Sequence, residues 1–147
     1  MQKLKITDLS VGDWVQWNGK TYRVCLIDGV SLTVELAEEA GETIEVAIDE
    51  VTGIPLTAEI FEKNGLVRDT SFPDIRQLNL VNGEREDVVT FCCGDGRATW
   101  GKVDSWPLGV DRLECCNENS TLVPYMEFVH QLQCLYRLAG IEKEIEL

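Results

Sequence analysis

Between Trp14 and Asp49 apolar and polar residues alternate with a period of two, and turn-forming pairs interrupt the alternation. A chain with that pattern buries one face of short antiparallel strands and wets the other. Trp14-Val15-Gln16-Trp17 enters the first strand, and Asn18-Gly19 is a strong two-residue hairpin turn. Tyr22, Val24 and Leu26 then alternate with Arg23 and Cys25. Asp28-Gly29 marks a second turn, after which Val30, Leu32, Val34 and Leu36 alternate with Ser31, Thr33 and Glu35. Beyond the polar turn Ala37–Glu42, Ile44, Val46 and Ile48 alternate with Glu45, Ala47 and Asp49. Four short strands with tight turns suggest an SH3-like β-barrel or a strongly bent meander over residues 1–53, and closing a small sheet, which hides its edges, favours the barrel.

Gly53-Ile54-Pro55-Leu56 breaks the pattern. A short connector helix follows, with Thr57 as its N-cap, Glu59 in the first turn and Gly65 as its stop. The second part, residues 54–147, returns to β-structure. Ile75–Val81, Asp87–Cys93, Arg97–Trp106 and Val110–Cys116 read as a meander, with Asn82-Gly83 and Gly94-Asp95-Gly96 as turns and Asn117–Ser120 as a polar loop. The stretch from Tyr125 to Ala139 carries the strongest helical period. Tyr125, Phe128, Val129, Leu132, Leu135, Tyr136 and Ala139 recur at three- and four-residue steps. Pro124 suits its first position and Gly140 its end, with Ile141 able to fold back on the last turn. The expected fold class is α+β: an N-terminal SH3-like barrel, then a curved antiparallel sheet packed against a C-terminal helix. The charged tail Glu142–Leu147 is read as an edge strand or a loose end.

The net charge is −13, with 4 basic and 10 acidic residues up to Leu56 and 9 basic and 16 acidic beyond it. Phosphate backbones are held by clustered Lys and Arg. No such cluster stands in the sequence, so direct nucleic-acid binding is not expected. No apolar run approaches a membrane span, and no apolar core follows Met1-Gln2-Lys3-Leu4-Lys5, so a cytoplasmic protein is expected. The six cysteines are expected to be reduced thiols. The vicinal pairs Cys92-Cys93 and Cys115-Cys116 lack the two-to-four-residue ligand spacing of zinc sites, and strand neighbours point to opposite faces. Neither a metal nor another cofactor is expected.

Several segments taken together resemble a group of uncharacterised proteins common in Bacteroidales genomes, often near phage-derived or mobile elements. The matching residues are Ile6…Val11-Gly12-Asp13-Trp14-Val15, then Ile54-Pro55-Leu56-Thr57…Ile60…Lys63-Asn64-Gly65-Leu66, then Val129-His130-Gln131-Leu132-Gln133…Leu135-Tyr136…Gly140…Glu144. The order and spacing match over most of the chain, though not in the central meander. Cys134 stands where the group has a polar residue. The resemblance implies no activity, only an association with a prophage or mobile element.

His130 is the single histidine, so any imidazole chemistry must use it. It shares a helix line with Cys134, which would allow a Cys–His pair, but no oxyanion donor or orienting motif accompanies them. Gln131 and Gln133 are expected to bond backbone groups of the meander. Asp95 and Asp104 flank Trp100 and are read as turn and wet-face residues, not as an acid–base pair. The aromatic set Trp14, Trp17, Tyr22, Trp100 and Trp106 is the better lead. Val15 and Trp17 should share a face, which leaves Trp14 on the other; if Trp17 is in the core, Trp14 is the one exposed to a partner. The alternative is that Trp14 packs against the connector helix. The expectation is a non-enzymatic adaptor that binds another protein, with Trp14, Trp100 and His130 as binding residues. An acidic inhibitor that occupies a nucleic-acid-binding protein is the second reading. The sequence does not fix the oligomeric state.

Overall fold

At Asn18-Gly19 both residues take positive φ, 48° and 75°, and Trp17 pairs with Lys20 across them. This mirror-image turn matches the right-handed twist of its strands, and asparagine and glycine are the residues that tolerate it. The computed structural model describes residues 3–68, 75–94, 97–108, 119–124 and 126–147. The chain is α+β and divides into two units, Met1–Pro55 with Phe128–Cys134, and Leu56–Glu127 with Leu135–Leu147.

The first unit holds strands β1 (Trp14–Trp17), β2 (Lys20–Asp28), β3 (Thr33–Ala37), β4 (Thr43–Ala47) and β5 (Thr52–Gly53). They form one antiparallel sheet in the order β4-β3-β2-β1-β5. A 3₁₀ turn, Ile48–Glu50, carries the chain from β4 to β5. Its core is almost wholly aliphatic: Val15, Val34 and Leu36 are fully buried, with Val24, Val46 and Val51 beside them and Tyr22 adding one ring. Each such side chain contributes roughly 1.5–3 kcal/mol on leaving water. Among the described residues no ladder joins β4 to β5, so hydrogen bonding leaves the sheet open along those two edges.

The alternation changes phase inside β2. Val24 pairs with Leu36, but Leu26 pairs with Glu35, which leaves Cys25 as an extra residue. Such a bulge turns every later side chain to the opposite face. Leu26, expected in the core, is therefore exposed, and Ile27 packs inward in its place. The strand expected from Val30 begins instead at Thr33. The Asp28 carboxylate accepts the N–H groups of Val30 at 2.9 Å and Ser31 at 3.1 Å, and Leu32 sits at φ 56°. This side-chain-capped loop competes with extension of the strand.

The second unit holds α1 (Ala58–Lys63) and strands β6 (Val67–Arg68), β7 (Ile75–Asn82), β8 (Arg85–Gly94), β9 (Arg97–Pro107) and β10 (Asn119–Pro124). They make an antiparallel sheet in the order β10-β9-β8-β7-β6. The β7–β8 turn is Gly83-Glu84, one residue later than expected, because Asn82 still pairs with Arg85. Gly83 at φ 62° fits a turn with glycine first. Phe61 packs on Phe91 at 5.2 Å, and Gly101 lies opposite Phe91 in the ladder. A Cβ on Gly101 would strike the Phe91 ring and the Met126 sulfur, so only glycine leaves room for both.

Thr57 caps α1 as expected, accepting the Ile60 N–H at 3.3 Å. At its end Leu66 N–H bonds Phe61 O and Gly65 N–H bonds Glu62 O, with Gly65 at φ 79°. The C-terminal helix α2 (Val129–Leu138) ends the same way, through Ile141 N–H to Tyr136 O, Gly140 N–H to Arg137 O, and Gly140 at φ 72°. Its start differs from expectation. Pro124 ends edge strand β10 opposite Trp100, where a missing N–H is tolerated. The helix begins at Val129, and Gln131 in its first turn accepts the Phe128 N–H at 3.0 Å. Before it, Phe128 bridges Pro55 and the Val129 N–H bonds Ile54 O at 2.8 Å. Tyr125 and the expected strand Val110–Cys116 lie outside the described residues, and Asn119–Ser120, read as loop, belong to β10.

The tail is neither a strand nor loose. Buried Asn64 donates to Glu146 O at 2.7 Å and accepts the Glu146 N–H at 2.8 Å, so its amide mimics a strand neighbour. Lys143 Nζ bonds Asn64 O, Lys63 Nζ bonds Leu147 O, and Ile141 and Ile145 are buried.

Candidate partner-binding surface

The register of β1 and β2 sets the faces. Val15 opposes Tyr22 and both are buried, while Trp14 opposes Arg23 on the other face. Trp17 shares the core face and meets Tyr22 edge-on at 5.9 Å. Trp14 is half-buried, with the Arg23 guanidinium 4.3 Å from its ring centroid. A cation over an indole face at that distance is attracted by the ring quadrupole, by about 0.5–1 kcal/mol at an exposed site. Val11, 61 % exposed, precedes the same strand.

Three polar contacts hold the backbone beneath Trp14. Gln133 accepts the Trp14 N–H at 2.8 Å and donates to Gly12 O at 3.0 Å. Arg23 Nη1 donates to the same carbonyl at 3.1 Å. Asp13, fully buried between them in sequence, accepts the Ser10 N–H at 2.8 Å. Gln133 thus bonds backbone as expected, but at the entry to β1 and not in the meander. A buried amide that satisfies both its donor and its acceptor in one strand is a rigid clamp.

His130 does not join this surface. It is 3 % exposed and stacked on Phe128, with ring centroids 5.6 Å apart and planes 12° apart. A residue buried that deeply reaches a partner only through rearrangement. The side chain of Trp100 lies outside the described residues. Trp106 is half-buried on β9.

Among the cysteines, Cys25 is exposed and Cys92 and Cys134 are half-buried. The Cys93 side chain and all of Cys115 and Cys116 lie outside the described residues. Among the described residues no three His, Cys, Asp or Glu side chains cluster as a metal site would require. Asp95 is also outside them, and Asp104 pairs with Lys102 at 3.1 Å.

Counting charge by halves hides one feature. From Val24 to Glu62 the sequence contains ten Asp and Glu and not one Lys, Arg or His. In the first unit these carboxylates ride on β3, β4 and the turns around them, with Glu39, Glu42, Glu45, Asp49 and Glu50 exposed. Glu35 and Glu45 are direct cross-strand partners. Like charges facing each other this way are destabilising, by about 0.2–1 kcal/mol. A sliding charge count, not a split at mid-chain, finds the run.

Comparison with family models, with curated proteins and with solved structures found no match.

Proposed function

We propose that the chain is a non-enzymatic adaptor that binds another protein through the Trp14 face of its first unit. One observation carries the reading: a tryptophan–arginine stack stands half-exposed on a backbone clamped by Gln133. Tryptophan and arginine dominate binding hot spots, because they bury large areas and lose little freedom when already held. The first unit is read as SH3-like, a fold that presents aromatics to extended peptides. The order β4-β3-β2-β1-β5, with a 3₁₀ turn between β4 and β5, supports that reading. The resemblance to the Bacteroidales group supports a role in a prophage or mobile element. No described helix is long and apolar enough to cross a membrane.

The test is partner capture with Trp14→Ala beside the natural chain. Loss of the partner supports the Trp14 surface, and unchanged capture sinks it. The second reading, an acidic inhibitor of a nucleic-acid-binding protein, draws on the base-free run from Val24 to Glu62. It calls for a basic partner whose binding weakens steeply with salt and competes with DNA. Binding that persists at high salt excludes it.

A further inference from the structure

A second feature lies in the other unit and uses none of the residues of the Trp14 surface. Arg76 sits on β7 with Leu78 and Leu80 at two-residue steps, on the face that carries the second unit's core. Its side chain is 6 % exposed. An arginine buried that deeply must find partners for a full charge and five N–H donors. Among the described residues its charged neighbour is Glu62, at 4.0 Å and itself 72 % exposed. That separation is an ion pair without a hydrogen bond. The other contact is the Phe61 ring, 5.6 Å from the guanidinium carbon. Among the described residues the guanidinium fork therefore has no hydrogen-bond acceptor in contact.

It lines a cavity of about 440 Å³, together with Glu62, Gly65, Leu66 and Val67. That volume falls in the range of small-molecule sites. Gly65 contributes no side chain to the wall, and its φ of 79° keeps larger residues out. Lys143 Nζ comes within 3.8 Å of where a Gly65 Cβ would stand. Among the described residues the cavity thus has the buried Arg76 fork, the aliphatic residues Leu66 and Val67 and one carboxylate, Glu62, at the rim, with Lys143 near Gly65. The planar guanidinium matches a carboxylate in a bidentate pair.

We propose that this cavity binds a small carboxylate ligand, with Arg76 holding the carboxylate and Leu66 and Val67 packing its apolar body. Glu62 swings outward to yield its place, which its exposure permits.

The probe is sodium butyrate, titrated into the full chain while backbone amides are followed by NMR. Inorganic phosphate at matched ionic strength is the second arm. The expected result is saturable shifts at Gly65, Leu66 and Val67 with butyrate. Arg76→Gln should weaken them at least tenfold. Val67→Glu places a tethered carboxylate at the same wall without touching the core, and should also abolish them. It keeps the test valid if Arg76→Gln fails to fold. Phosphate binding in place of butyrate overturns the carboxylate assignment. No saturable shift with either anion, or equal shifts in the natural chain and Val67→Glu, overturns the site.

Discussion

The two units place their charge oppositely. In the first, the core is mostly aliphatic, buried charge among the described residues is confined to Asp13, and an unbroken acidic run covers β3, β4 and their turns. In the second, charge lies inside. Asp87 is fully buried, Arg76 nearly so, and Asn64 fixes the tail from within. The first arrangement rests chiefly on hydrophobic burial and keeps most of its carboxylates in water. The second makes folding depend on particular polar pairs, because a buried charge without its partner is strongly destabilising.

Asp87 offers the hardest way to break this contrast. Arg85 donates to it through Nη2 at 3.1 Å, with Nε at ion-pair distance, 3.0 Å, and the Ser105 hydroxyl donates to it as well. The same Arg85 bonds Ala139 O at the C-terminal end of α2, where a cation is favoured. Arg85→Ala strands a buried carboxylate and should cost about 3–5 kcal/mol in urea unfolding. The matched change in the first unit, Arg23→Ala, should cost under about 1 kcal/mol, since its cation–π contact is half-exposed. Equal losses in the two would erase the distinction.

Next in size is Asn64→Ala, which removes both tail hydrogen bonds and the Nδ2 bond to Ile60 O. We expect a loss of about 2–3 kcal/mol and early hydrogen exchange at the Glu146 amide. Gly53→Ala sharpens the comparison from the first unit's side. Its Cβ would lie 2.5 Å from the Phe128 ring, so a loss of about 1–3 kcal/mol should follow.

The smallest effect is a pH effect at the β2–β3 loop. Backbone N–H groups of Ser31 and then Val30 hold the Asp28 carboxyl below the ordinary carboxylate range. A depressed folded-state pKa means stability that is present above the unfolded value and lost as pH falls through the folded one. Asp28→Asn should therefore flatten the acid limb slightly, read as a smaller stability change below the ordinary Asp range. In the opposite direction, burial raises the Tyr136 hydroxyl well above a free phenol, so that ring stays neutral through any ordinary titration.

Much of this was legible in the sequence where local chemistry decides. Asn18-Gly19, Thr57, Gly65 and Gly140 specify turns and caps from their own backbone preferences, and each stands where those preferences require. The errors arise where a distant partner decides. The Cys25 bulge flips Leu26 outward, because its cause is the register against β3 and not anything local to β2. Pro124 resembles a helix start until β9 claims it as the end of an edge strand. The tail reads as loose charge until Asn64, far away in sequence, supplies its hydrogen bonds. At the candidate surface, the face of Trp14 followed from alternation alone. Its Arg23 cover and Gln133 clamp did not, since cross-strand and helix-to-strand pairing leave no period in the sequence.

The central claim is that the Trp14–Arg23 surface carries partner recognition. The direct measurement is affinity capture from a host lysate with the natural chain and with Trp14→Ala, at physiological and at high salt, with bound proteins identified by mass spectrometry. The account predicts a partner that the natural chain retains at both salts and that Trp14→Ala loses, while the variant's unfolding midpoint stays close to that of the natural chain. A partner held equally by Trp14→Ala, or released by salt alone, would contradict it.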